Sequence, residues 1–146
     1  MIQPNEIRIG NYVYLQKSNT FYQITEITQS EVEDGRYEAT GVSDDSIFHT
    51  FTDNINPIPL TEDVLLKCKG VVKERKDDKY GRVYLISNTK YIIRIVNFGN
   101  PLKEDFGFSL EISDEKDWCS IKRIYTLHDF QNTIYSLTNQ ELEIEL

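Results

Sequence analysis

The chain has little of what most recognisable chemistry uses. It contains two cysteines, Cys68 and Cys119. Their flanks, Lys67-Cys68-Lys69 and Trp118-Cys119-Ser120, form no CxxC pair, so neither a disulfide framework nor a zinc ribbon is indicated. Histidine is as scarce: His49 and His128 stand alone, without the ligand spacing of a metal site. GxGxxG and P-loop sequences are absent, which removes the commonest routes to nucleotide binding. No apolar run approaches the roughly 18 residues that span a bilayer. The polar run Gln3-Pro4-Asn5-Glu6 behind Met1 lacks the character of a signal peptide, so the cytoplasm is the expected compartment. Cations are outnumbered too, 16 Lys and Arg against 24 Asp and Glu, for a net charge of −8. That balance argues against direct binding to nucleic-acid phosphates or anionic membranes and leaves room for a protein partner.

What is present is enough apolar material to fold. Hydrophobic residues make up 39% of the chain, with nine Tyr and seven Phe, a composition that disordered chains lack. At 146 residues the core does not depend on disulfides or metal.

Residues 7–56 read as short strands punctuated by turns. Tyr12-Val13-Tyr14-Leu15, Phe21 to Ile27, Tyr37 to Val42 and Ile47 to Phe51 are β-prone, with Lys17-Ser18-Asn19 and Asp34-Gly35 as turn signals. Tyr22, Ile24 and Ile27 are expected to point inward. This pattern predicts a β-rich N-terminal subdomain over 1–56, an SH3-like small barrel. Asn56-Pro57-Ile58-Pro59 must be extended, because each proline pushes its predecessor out of the α region, and it marks the junction.

The rest, 57–146, is expected to be an α+β subdomain with helices near 61–69 and 127–138. Thr61 caps the first helix, Glu62 and Asp63 favour its positive end, Leu60 and Leu65 have hydrophobic-staple spacing, and Gly70 provides a stop. Arg82 to Ser87 and Lys90 to Phe98 flank Asn88-Thr89 as a hairpin. The second arm is apolar on both faces, which predicts a central strand. Phe106 to Ile112 alternates strictly, and Cys119 to Ile124 is a further short strand. Leu127, Phe130, Ile134 and Leu137 form one apolar stripe of the final helix, which is expected to pack on an antiparallel sheet, with Asn139 in its left-handed stop. The tail Glu141 to Leu146 has period two and reads as a strand with one glutamate face. The fold class is therefore α+β.

Three blocks carry a resemblance. Glu6-Ile7-Arg8-Ile9-Gly10-Asn11-Tyr12-Val13, Pro57-Ile58-Pro59-Leu60-Thr61-Glu62, and His128-Asp129-Phe130-Gln131-Asn132 with Leu137-Thr138-Asn139-Gln140-Glu141-Leu142 resemble the "LRIGNYV", "PIPLTEE" and "HQLQN…LTGEEL" blocks of small proteins encoded by gut Bacteroidetes and their phages. Asn139 replaces a Gly of that pattern and Thr133 a Leu. The resemblance implies a shared fold and a mobile-element or phage setting, and it carries over no catalytic residue.

Candidate sites are few. His128, Gln131 and Asn132 form the most polar patch of the final helix and are candidates, with Tyr12 and Tyr14, for an interaction surface. The bland alternative for His128 is a helix-start histidine bonding nearby backbone. Cys119 would need His128 or His49 beside it to act as a nucleophile, and a small buried hydrophobe is the simpler reading. Asp44-Asp45, Asp77-Asp78 and Asp114-Glu115-Asp117 lack the central Gly and closing Glu of a calcium loop and read as solvated turns. Tyr12, Tyr14, Phe21, Tyr22 and Tyr37 could stack bases, but residues 1–56 carry only Arg8, Lys17 and Arg36 as cations, so core packing is expected. No metal or cofactor is expected. The function expected is a non-catalytic accessory or protein-interaction protein. The alternatives are an acidic inhibitor mimicking nucleic acid through the glutamate tail, Glu62, Asp63 and the acidic turns, and an enzyme of unrecognised type.

Overall fold

The computed structural model describes residues 2–15, 20–74, 83–86, 91–98, 107–113 and 116–145. The expected turns at Lys17-Ser18-Asn19, Asp77-Asp78, Asn88-Thr89 and Asp114-Glu115 lie outside these residues. The fold is α+β. Two antiparallel sheets, one curled into a half-barrel, accompany a C-terminal helix. Contacts divide the chain into two compact units, one of 1–59 with 126–133 and one of 60–125 with 134–146.

In the first unit β1 (Tyr12–Leu15), β2 (Phe21–Gln29), β3 (Tyr37–Val42), β4 (Ile47–Phe51) and β5 (Ile55–Asn56) form one sheet. Its order is β4-β3-β2-β1-β5, a meander whose last strand returns to pair with the first. A 3-10 turn, Thr52–Asn54, precedes β5. This is the strand order of an SH3-like barrel. One face packs Val13, Tyr22, Ile24, Ala39, Phe48 and Ile55 into a core with Ile2 and Ile7.

Tyr22 and Ile24 fall on the same face by simple alternation, and Ile27 does not. The register of β2 against β3 shifts between Ile24 and Glu26. The extra residue, Thr25, resets the phase, so Ile27 packs against the same core as Tyr22 and Ile24. Gly41 lies opposite Phe48, and a Cβ there would sit 2.3 Å from the Phe48 ring. The absent side chain is what leaves room for the ring beside β3.

In the second unit α1 (Glu62–Leu66) is shorter than the 61–69 expected, because the chain turns through Lys67 to Gly70. Thr61 caps it, accepting the Val64 N–H at 3.3 Å, and Gly70 takes φ +87°. β6 (Val71–Lys73), β7 (Val83–Ile86), β8 (Ile92–Phe98), β9 (Gly107–Ser113) and β10 (Trp118–Ile124) form a sheet in the order β10-β9-β8-β7-β6. β8 is central, as its sequence predicts. Ile93 and Ile95 are fully buried on one face and Val96 on the other, while Ile92 is exposed near one end.

The tail is not a regular strand. It makes an isolated bridge, Cys68 with Ile144. The Lys69 N–H donates to the Glu143 carbonyl and the Glu145 N–H to that of Lys67. Its alternation survives even so: Leu142 is buried, while Glu141, Glu143 and Glu145 face solvent.

The last helix, α2 (Leu127–Thr138), starts where expected. Thr126 is its cap, an assignment the apolar stripe alone does not make. Its hydroxyl accepts the Asp129 N–H at 3.4 Å. Leu127, Phe130 and Ile134 are buried, and Asn139 ends the helix at φ +55°. The sequence places the whole helix with the C-terminal half. The contacts place Thr126 to Thr133 in the first unit and Ile134 onward in the second.

Candidate functional site

The polar patch expected on α2 is built from the segment before β1. Pro4–Glu6 is a short 3-10 turn whose Glu6 carboxylate accepts the Gln3 N–H at 2.8 Å. The chain then turns over Arg8-Ile9-Gly10-Asn11. The Asn11 N–H donates to the Arg8 carbonyl at 3.1 Å, and Gly10 holds φ +94° at the third position, a conformation only glycine takes without strain. The Asn11 side chain closes the same turn, its Oδ1 accepting the Arg8 N–H at 2.9 Å.

Two amides of α2 seize this turn. Gln131 Oε1 accepts the Tyr12 N–H at 2.9 Å, and its Nε2 donates to the Gly10 carbonyl at 3.0 Å. One side chain therefore satisfies a carbonyl and an N–H two residues apart, the bonds a neighbouring strand would make. Asn132 Oδ1 accepts from Asn11 Nδ2 at 2.9 Å, and its Nδ2 donates to the Glu6 carbonyl at 2.8 Å. Arg8 Nη2 reaches the Gln131 carbonyl at 3.3 Å. Asn11 and Gln131 are fully buried and His128 nearly so. Gln131 and Asn132 thus spend their hydrogen bonds inside the first unit. Carboxamides neither titrate nor attack as nucleophiles, so the cluster is a clamp. It joins the first and last blocks of the resemblance described above.

The side chains of Tyr12 and Tyr14 lie elsewhere, on the face of the N-terminal sheet opposite its core. Direct cross-strand partners share a face. Tyr12 is opposite Gln23, Gln23 opposite Val42, and Val42 opposite Ile47, one row across four strands. Tyr14 is opposite Phe21, with ring centroids 5.0 Å apart. Ile47 is 74% exposed; Tyr12, Tyr14, Phe21 and Val42 are half-buried. Of the five aromatics considered as core, only Tyr22 is buried in it; Tyr37 is exposed. Partial burial raises the Tyr12 and Tyr14 phenols above their ordinary pKa, and for Tyr12 the charge of Asp44 adds to the effect. Asp44 therefore lies at the rim of this row, with Asp45 next to it in the turn between β3 and β4. His49 shares the face, with Nδ1 2.9 Å from the Thr40 hydroxyl and Nε2 3.8 Å from Glu38.

Cys119 reverses expectation. Cys68 is buried and Cys119 exposed. β10 is an end strand whose residues up to Arg123 all face solvent, so Cys119 has no interior to enter. Burial pushes the Cys68 thiol up to about 12. Cys119 belongs to the second unit, and His49 and His128 to the first. Among the described residues no three His, Cys, Asp or Glu gather in a way that could hold a metal ion. On the second sheet Arg94 pairs with Glu111, and its guanidinium lies 4.1 Å from the Trp118 ring centroid.

No helix of the chain is long and apolar enough to cross a membrane among the described residues. No family model matches the sequence, and neither a curated protein nor a solved structure matches it significantly.

Proposed function

We propose that the chain is a non-catalytic interaction protein that holds a protein partner on the outer face of its N-terminal sheet. The observation that carries this reading is the row Tyr12-Gln23-Val42-Ile47 with the Tyr14–Phe21 pair beside it, ending in an isoleucine that is 74% exposed. A β-branched residue so exposed, continuous with aromatic rings, contributes nothing to its own fold's core and marks a contact patch. Asp44 and Asp45 at its edge favour a partner with cationic groups, as does the net charge of −8. The three motif blocks extend the proposal to an accessory role in a mobile element or phage, with the cytoplasm as its place of action.

The nucleic-acid-mimic reading draws less support. Two of the carboxylates it relies on are engaged by lysines, Glu143 by Lys69 and Glu62 by Lys73, and among the described residues the tail forms a single bridge.

The test is a photo-crosslinking amino acid placed at position 47 and, as a control, at Val32, which is 88% exposed in the same unit. From host extract, one protein should be captured at position 47 and not at 32, and Tyr14→Ser should abolish its capture. Equal capture at both positions would remove the proposal.

A further inference from the structure

A sheet edge that offers unpaired main-chain groups is a template for another strand, and soluble proteins guard such edges with charge, bulges or brevity. Three of the four edges among the described residues are guarded. β10 carries Lys122 and Arg123 and a register shift between Ser120 and Lys122. β6 has three residues and ends in Lys73, and β5 has two. β4, Ile47-Phe48-His49-Thr50-Phe51, has no Lys, Arg, Asp, Glu or Pro, and its register with β3 is regular throughout. It pairs with β3 alone.

The hairpin bond fixes which of its groups face outward. The Ser43 N–H donates to the Ser46 carbonyl at 2.8 Å, which makes 43 and 46 a hydrogen-bonded pair. Antiparallel pairs alternate from there. Phe48 and Thr50 therefore bond to β3, while the N–H and C=O of Ile47 and His49 and the N–H of Phe51 point away from the sheet; the Phe51 carbonyl is taken by the 3-10 turn Thr52–Asn54 that it caps. The side chains of these same three residues lie on the outer face, continuous with the row from Tyr12 to Val42. Main-chain bonding capacity and apolar surface meet along one strand.

We propose that β4 is a strand-addition site. It takes an extended segment of the partner protein antiparallel to itself, with apolar side chains opposite Ile47 and Phe51 and a Lys or Arg two residues beyond the first of these, beside Asp44 and Asp45. The proposal rests on the interaction reading above and specifies how that partner binds. Ile47 and His49 each offer a full hydrogen-bonded pair and Phe51 adds its N–H, up to about five main-chain bonds. They supply affinity, and the alternating side chains supply choice. A second copy of the chain fits less well. The twofold register centred on His49 sets Ile47 opposite Phe51, but it brings together two edges of the same acidic chain with no cationic strand residue on either to offset the charge. Each copy also carries −8. A segment with a cationic end meets the acidic rim instead.

A library of random twelve-residue peptides displayed on phage, selected on the intact protein, tests this. Enriched peptides should alternate apolar residues and carry Lys or Arg toward the C-terminal end. Their binding should slow hydrogen exchange at the Ile47, His49 and Phe51 amides. N-methylation of alternate peptide bonds in the ligand should weaken it at least about tenfold, the equivalent of one main-chain bond. His49→Pro removes the middle outward N–H and leaves the β3 bonds intact, and it should do the same while circular dichroism is unchanged. Peptides that bind but tolerate N-methylation and His49→Pro, and yet are lost with Tyr14→Ser, would overturn strand addition and leave the face reading standing. Peptides indifferent to all three changes, or no enrichment, would overturn both. A dimer in light scattering that His49→Pro dissolves would overturn the choice of occupant.

Discussion

Replacing Gln131 with alanine should cost the protein more than its surface-like chemistry suggests. The side chain is fully buried and holds two main-chain groups, the Tyr12 N–H at 2.9 Å and the Gly10 carbonyl at 3.0 Å. Gly10 has a second, weaker donor in Gln23 Nε2 at 3.4 Å, so its loss is partly covered; Tyr12 has no such reserve. Leaving a buried polar group unmade costs about 1–3 kcal/mol. The alanine variant should therefore lose about 2–4 kcal/mol, out of a total that for an ordinary domain is about 5–15 kcal/mol. In urea, with a slope of about 1–3 kcal/mol per molar, the midpoint should fall by roughly 1–2 M. Far-UV circular dichroism follows the whole chain, and Trp118, the single tryptophan, reports on the second unit. Gln131→Glu sharpens the test. One oxygen still accepts from Tyr12, but the other now opposes the Gly10 carbonyl, and ionisation there is resisted by burial. The folded pKa must rise above the unfolded value of about 4.3. The native state then binds the extra proton, so the variant is closest to wild type at low pH and loses stability as pH rises through that window. An alanine variant within about 0.5 kcal/mol of wild type, the range of an ordinary surface change, would refute the clamp.

Gly41→Ala should destabilise by about 1–3 kcal/mol through overpacking, because the new Cβ would sit 2.3 Å from the Phe48 ring; Phe48→Leu in the same chain should recover part of the loss in thermal melts. Of the two thiols, a disulfide reagent at pH 8 should modify only Cys119 in the folded protein and both in denaturant. Cys68 also predicts an alkaline weakness. Its folded pKa of about 12 exceeds the ordinary value of 9.0, so above that value the unfolded chain releases a proton the native one keeps. Stability should fall from about pH 9 toward 12 at about 1.4 kcal/mol per unit, and Cys68→Ala should remove that part of the slope.

The elements with local causes were legible in the sequence. β3 and β4 follow from β-prone runs between turns, and α2 from one apolar stripe ended by Asn139 at φ +55°. The acidic start and capping threonine of α1 were equally plain, and only its length was overestimated, since Lys67 and Lys69 suit a last turn and equally the loop that follows. What depends on distant partners was not legible. Thr25 as the bulged residue shows only against β3. Cys119 reads as a buried hydrophobe until β10 is known to close the sheet at one end. Gln131 and Asn132 look like a docking patch because nothing in their own helix consumes their amides; the groups that do lie about 120 residues earlier.

The division of α2 between the two units has a consequence for biosynthesis. The N-terminal unit includes Thr126 to Thr133, so its sheet leaves the ribosome well before the helical turns that clamp Gly10 and Tyr12. At about 5–20 residues per second, translation of the intervening stretch takes several seconds. Throughout that interval the nascent sheet displays the Arg8–Tyr12 turn without its amides, and a fragment ending at residue 59 would remain arrested at the same unfinished stage.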